Sequence, residues 1–135
     1  MTVVRLMMQR RISDLDGQGH VNNVNYSQYI QEARVNLKNV LLKERAASFG
    51  QVVAKMEITY KVSLLHGSEL VPIDAWVSRI GNSSYDITYV LYDEQGRVSL
   101  EAKSTMVATS GGASCPIPDD VRSLLEAAME PAAGS

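Results

Sequence analysis

Apolar and polar positions change their period along the chain, and each change marks an element. Residues 3–12, VVRLMMQRRI, mix β-branched and long apolar side chains over a span that suits one strand. The pattern then lapses: Ser13 to Asn25, SDLDGQGHVNNVN, is polar and glycine-containing with no sustained period, which predicts a shaped loop on the surface or lining a pocket. From Tyr26, apolar residues recur at Tyr26, Tyr29, Ile30, Ala33, Leu37, Val40 and Leu41. That is the spacing of one helical face, and it predicts a helix of about five turns. Asn22, Asn23 and Asn25 can each cap its start by accepting a hydrogen bond from a free backbone N–H, and Gly50 stands just beyond its expected end.

After Gly50 the period becomes two. Met56, Ile58, Tyr60, Val62 and Leu64 alternate with Lys55, Glu57, Thr59, Lys61 and Ser63, as in a half-buried strand. His66-Gly67-Ser68 punctuates, Leu70 to Ile80 reads as a second strand, and Gly81-Asn82 turns into a third from Ser84 to Tyr92. Asp93-Glu94-Gln95-Gly96 leads to a fourth, from Val98 to Ala108. Consecutive strands with short connections predict an antiparallel meander. Pro116 and Pro118 end the sheet, Val121, Leu124, Leu125 and Met129 mark a short helix, and the closing PAAGS is expected to fray. One apolar helix and one sheet of about five strands can cover each other, so the expected class is an α+β two-layer fold with residues 1–135 as one domain.

Composition narrows the function classes. Hydrophobic residues make up 45% and charged residues 21%, the balance of a chain that folds. With 13 Lys+Arg against 15 Asp+Glu, there is no basic field to hold a nucleic-acid backbone. No run is long and apolar enough to span a bilayer, and charge arrives too early in MTVVRLMMQRR for a cleavable export signal. The single Cys115 cannot pair internally, which fits a reducing compartment. A cytoplasmic protein without nucleic-acid or membrane partners is expected.

The segment that carries chemistry is Asp14-Leu15-Asp16-Gly17-Gln18-Gly19-His20-Val21-Asn22-Asn23-Val24-Asn25-Tyr26, because it sets ionisable and amide side chains directly ahead of a helix N-terminus. Such an end offers unpaired N–H groups and partial positive charge. Hydrolysis of a thioester needs a polarised carbonyl oxygen and a carboxylate that attacks it or activates water. A loop carboxylate beside a helix start offers both.

The run DLDGQGHVNNVNY, followed by Tyr29-Ile30-Gln31-Glu32-Ala33-Arg34, resembles the signature of the 4-hydroxybenzoyl-CoA thioesterase family and its acyl-CoA and acyl-carrier-protein thioesterase relatives. Ile58-Thr59-Tyr60, Gly67-Ser68-Glu69-Leu70, Ile80-Gly81-Asn82-Ser83-Ser84 and Pro116-Ile117-Pro118 resemble it in order and spacing, over residues 5 to about 125. The resemblance implies a hotdog fold, a long central helix wrapped by a five- to six-stranded antiparallel sheet. It also implies a homodimer or homotetramer with the active site at the dimer interface. Carried over by position, Asp16 is the catalytic carboxylate, as nucleophile or general base, and the backbone N–H near Asn23 polarises the carbonyl. His20 and Gln18 stand where the plant acyl-carrier-protein branch has His and Asn, the Gln being a departure.

Coenzyme A is anionic, so Lys61, Arg79 and Lys103 are candidate cations near the pocket mouth, and Ser83 and Ser84 candidate partners of the pantetheine arm. Asn22, Tyr26 and Tyr60 complete the expected substrate contacts, with Tyr26, Tyr29 and Met56 also read as core or pocket wall. No cofactor is expected beyond coenzyme A as part of the substrate. Asp14, Asp16 and His20 lack a further nearby His or Cys, so no metal is expected. Alternatives in view are an acyl-carrier-protein thioesterase and a non-catalytic acyl-CoA or acyl-carrier-protein binder.

Overall fold

The computed structural model of the chain describes residues 1–9, 23–61, 70–93 and 95–130. In chain order these form β1 (Val4–Gln9), α1 (Asn23–Leu42), a 3-10 turn (Lys43–Ala47), β2 (Gly50–Tyr60), β3 (Leu70–Ile80), β4 (Ser84–Tyr92), β5 (Val98–Ser110), β6 (Ala113–Ser114) and α2 (Asp119–Met129). The six strands make one antiparallel sheet in the order β1-β3-β4-β5-β2, with the two-residue β6 hairpinned onto β5.

α1 forms because its interior is rich in good helix formers and its apolar residues fall on one stripe. Tyr26, Tyr29, Ile30, Ala33 and Leu37 are buried, as predicted, and Leu42 joins them. They meet the inner face of the sheet, where Ile73, Val77, Tyr85, Ile87, Tyr89, Leu91, Leu100 and Met106 are sequestered in one core. Each such Leu or Ile contributes roughly 1.5–3 kcal/mol by leaving water. Val40 falls off the stripe and is half-exposed, contrary to the periodicity, and Met129 of α2 is likewise outward. In each helix a nearby position faces the core instead, Leu42 in α1 and Ala128 in α2.

The strands β3, β4 and β5 form the expected meander, but β2 does not join it as predicted. β1 takes the free side of β3, with Val4 opposite Ala75 and Gln9 opposite Leu70. β2 lies at the far edge against β5, with Gly50 opposite Thr109 and Tyr60 opposite Leu100. Residues 61–69 separate β2 from β3, more than the 2–5 residues of an ordinary hairpin. A connection of that length does not oblige its strands to pair.

Gly50 also has a different role from the expected helix stop. α1 ends where Lys43 takes φ 52°, a left-handed residue at the position glycine usually fills. Gly50 instead opens β2, where a Cβ would stand 2.7 Å from the carbonyl oxygen of Thr109 and 2.8 Å from its hydroxyl. Its absence of side chain permits the close approach of β2 to β5. α2 then pins the β3–β4 turn: Arg122 donates to the carbonyls of Gly81 (2.8 Å) and Asn82 (2.9 Å), and the Ile117 N–H to Asn82 (3.0 Å). Val121, Leu125 and Ala128 are its buried side.

Candidate functional site

Asp14, Asp16, Gln18, His20 and Asn22 fall within residues 10–22 and lie outside the described residues. α1 begins at Asn23, so the N-terminus of a helix of twenty residues directly follows residues 10–22 in the sequence. The first N–H groups of such a helix have no intrahelical acceptor and carry partial positive charge. The side chains of Asn23 and Asn25 are outside the description, and so is any cap they form.

One turn into α1, the buried Tyr26 meets Tyr60 from the end of β2, with ring centroids 5.5 Å apart and planes at 66°, an edge-to-face pair. The alternation predicted an inward Tyr60, but it is 47% exposed because β2 is an edge strand with no neighbour on its other side among the described residues. Partial burial, with Tyr26 beside it, pushes the Tyr60 hydroxyl above its ordinary range. Lys61 is exposed and its N–H donates to Ser99 (2.8 Å). Tyr26, Tyr60 and Lys61 thus mark one end of the sheet.

Arg79, Ser83 and Ser84 mark the other. Tyr60 registers through Leu100 with Leu91, while Ser84 registers with Val107. Seven residues of β4 separate the two positions, roughly 23 Å at 3.3 Å per residue. Arg79 is not a free cation: its Nε donates to Asp86 Oδ2 (2.9 Å), and its Nη2 to Asp86 Oδ1 (3.3 Å) and to the Ser84 hydroxyl (3.0 Å). Asp86, only 5% exposed, also accepts from the Thr105 hydroxyl (2.8 Å), with Lys103 at 4.0 Å. Burial pushes the Asp86 carboxyl up, but the hydrogen bonds from Arg79 and Thr105, with the charges of Arg79 and Lys103, prevail and hold it below the usual range. The Ser83 carbonyl accepts from the Ala108 N–H (2.9 Å), and its hydroxyl accepts from the Asn82 side-chain amide (3.4 Å).

A third cluster went unselected by sequence reasoning. Arg34 lies on the buried side of α1 at 8% exposure, and its Nε donates to the Tyr89 hydroxyl (3.1 Å), which shares a 2.7 Å bond with Ser104. Its Nη2 is buried with no hydrogen-bond partner. One turn on, Lys38 donates to the Phe49 carbonyl (2.8 Å), and burial lowers its pKa. Both line a groove of about 410 Å³ between α1 and β2, together with Gln31, Gln51, Val53 and Met106. The signal in the sequence was a charge set four residues after Ile30 and three before Leu37, inside the apolar stripe.

Comparison with known proteins gives the family and the fold. The family model described as the thioesterase-like superfamily matches residues 11–125. No curated protein matches the chain. Among solved structures, it is similar to a thioesterase complexed with coenzyme A and Zn from Thermus thermophilus, at 27% identity over 91% of each chain with a TM-score of 0.81. It is similar too to a predicted thioesterase from Bacillus stearothermophilus, at 25% identity over 94% of this chain and 96% of that one, TM-score 0.84. A DHNA-CoA thioesterase from Staphylococcus aureus shares the fold at 18% identity, 94% and 93% coverage and TM-score 0.77. The helix wrapped by a six-stranded antiparallel sheet is the hotdog fold of these thioesterases, as the sequence resemblance implied.

Proposed function

Because this chain belongs to the thioesterase-like superfamily, we propose that it hydrolyses acyl-CoA thioesters, with Asp16 as the essential carboxylate and the N-terminus of α1 as the oxyanion site. The observation that carries this reading is that the family match spans the DLDGQGHVNNVNY segment, which runs straight into the first turn of α1. Charge that develops on the carbonyl oxygen is stabilised by N–H groups at the Asn23 end of the helix. The Asp16 carboxylate either attacks the carbonyl carbon or takes a proton from the attacking water. The C–S bond breaks, and the coenzyme A thiolate leaves and is protonated. His20 and Gln18 orient the loop and substrate, with Asn22, Tyr26 and Tyr60 beside the thioester. Coenzyme A enters as substrate, and the reaction needs no cofactor.

The site is completed in a homodimer, with a homotetramer as a further assembly of the same unit. β2 leaves one side unpaired among the described residues, and its Val52 and Val53 are exposed. Such an edge invites pairing with a second copy. Antiparallel pairing of two β2 strands about a two-fold axis sets the Tyr60 end of one subunit beside the Gly50 end of the other. That end carries Ser83, Ser84 and Arg79 through the β5 and β4 register. Clusters about 23 Å apart in one subunit, at 3.3 Å per strand residue, then lie at the same end of the joined sheet, with Lys61 at the mouth and Arg79 beyond it, held by Asp86. None of the described helices is long and apolar enough to cross a membrane, and a lone cysteine fits a cytoplasmic setting.

The test is thiol release from a panel of acyl-CoA and acyl-carrier-protein thioesters, with Asp16→Asn in parallel. The wild type is expected to turn over acyl-CoA, and the variant to lose roughly 10²–10⁴-fold in rate with its fold intact. Binding of acyl-CoA without any thiol release would make the protein a binder. Entry of water's isotope into Asp16 in a single turnover would select the nucleophilic route.

A further inference from the structure

The described arginines differ in what holds them. Arg5, Arg45, Arg79 and Arg97 each hold a carboxylate, of Asp74, Asp120, Asp86 and Asp93 respectively, and Arg122 holds two carbonyls. Arg34, the most buried of them, holds a tyrosine hydroxyl alone and keeps one buried nitrogen unpartnered. Lys38, one turn on, forms no ion pair among the described residues, and the described residues that line the groove they share include no carboxylate. A buried guanidinium without a counter-charge is costly, and proteins retain one where a counter-charge arrives. The rest of the lining suits an organic ligand: Val53 and Met106 supply apolar wall, Gln31 and Gln51 amide donors. A volume of about 410 Å³ lies within the range of small-molecule sites.

We propose that the α1–β2 groove is a carboxylate-binding site and that, on the thioesterase reading above, its ligand is the far end of an ω-carboxyacyl thioester. A guanidinium recognises a carboxylate through paired N–H donors, and Lys38 adds a second cation to the same group. Arg34 follows Asn23 by eleven residues, roughly 16 Å along the axis at 1.5 Å per residue. A thioester held at the helix start and a carboxylate held at Arg34 are therefore bridged by a medium-length chain, and short diacids such as succinyl do not reach. The apolar stretch of the groove takes the methylenes between them.

The experiment has two arms on the whole protein. Calorimetric titration with sebacate is expected to show binding that weakens about tenfold or more in Lys38→Met and in Arg34→Met. Lys38→Met, at a part-buried position, keeps the test decisive if Arg34→Met does not fold. In the second arm, wild type is expected to turn over dodecanedioyl-CoA with a higher kcat/KM than dodecanoyl-CoA, and the two variants to lose that preference while keeping dodecanoyl-CoA turnover. Sebacate binding that the variants share with wild type overturns the proposal, as does inorganic phosphate binding more tightly than sebacate. Loss of sebacate binding in the variants with no turnover of any thioester leaves the groove standing and removes the enzyme. Turnover without diacid binding or preference does the reverse.

Discussion

On the outer face of the sheet, Arg79 donates twice to a nearly buried Asp86 that also accepts from Thr105, whereas beneath α1 the more deeply buried Arg34 reaches, among the described residues, a tyrosine hydroxyl and no acid. The first cluster is satisfied by the fold itself, and its cation has little charge left to offer a ligand. The second keeps a buried nitrogen without a partner, on a residue that lines a groove. Exposure is thus a poor guide to engagement: the half-exposed arginine is paired with a carboxylate, and the buried one keeps a nitrogen without a partner. What distinguishes them is whether a carboxylate falls at the register position opposite, as Asp86 does for Arg79.

The contrast can be broken by substitution, and the largest effect is expected at Asp86. Asp86→Ala should cost roughly 2–3 kcal/mol in chemical denaturation, because it removes a charged acceptor from Arg79 and Thr105 at a buried position. A loss below about 0.5 kcal/mol would mean that the cluster is not held as the geometry implies. Its pH dependence follows from the lowered carboxyl. The folded value lies below the unfolded one, so Asp86 contributes stability that is present above an unfolded pKa of about 3.9 and lost as pH falls through the folded value. The stability gap between wild type and Asp86→Asn should therefore be constant near neutrality and shrink below about pH 4.

A smaller effect is expected at Arg34. Arg34→Met should change stability by under about 1 kcal/mol, or raise it, because an unpaired buried charge is removed while Tyr89 keeps Ser104. A loss as large as that of Asp86→Ala would show that Arg34 is part of the fold's support, and would set the two clusters level. The smallest effect is expected at Arg79. Arg79→Met should cost about 0–1 kcal/mol, since its side chain is half-exposed and salt screens the pair. If Arg79 is indeed spent on Asp86, the same change should leave the KM for acyl-CoA within about twofold. A marked rise in KM would restore Arg79 as a coenzyme A contact.

Much of the architecture was legible. β3 and β4 run over the residues that alternation and the Gly81-Asn82 turn indicate, and α1 buries the stripe from Tyr26 to Leu37. Such local periods survive folding because each element packs one face. The position of β2 was not legible, since a strand's alternation states which face it buries and not which neighbour it takes. The Arg34 donor escaped for a related reason: a charge within an apolar stripe reads as an exception until its surroundings are known. Of the candidate site, the loop signature and its step into a helix start were readable as sequence, and the pairing of Tyr26 with Tyr60 was not.

The linear order of residues alone determined the α+β class, the long amphipathic helix, the β3-β4-β5 meander and a carboxylate-bearing segment of sequence ahead of a helix N-terminus, because these depend on spacings of a few residues. Only the tertiary structure decided that β2 stands at the far edge, that Gly50 admits the Thr109 backbone, that Asp86 claims Arg79 and that Arg34 is left with an unpaired nitrogen. Those outcomes depend on which distant segments meet, and no local period encodes that.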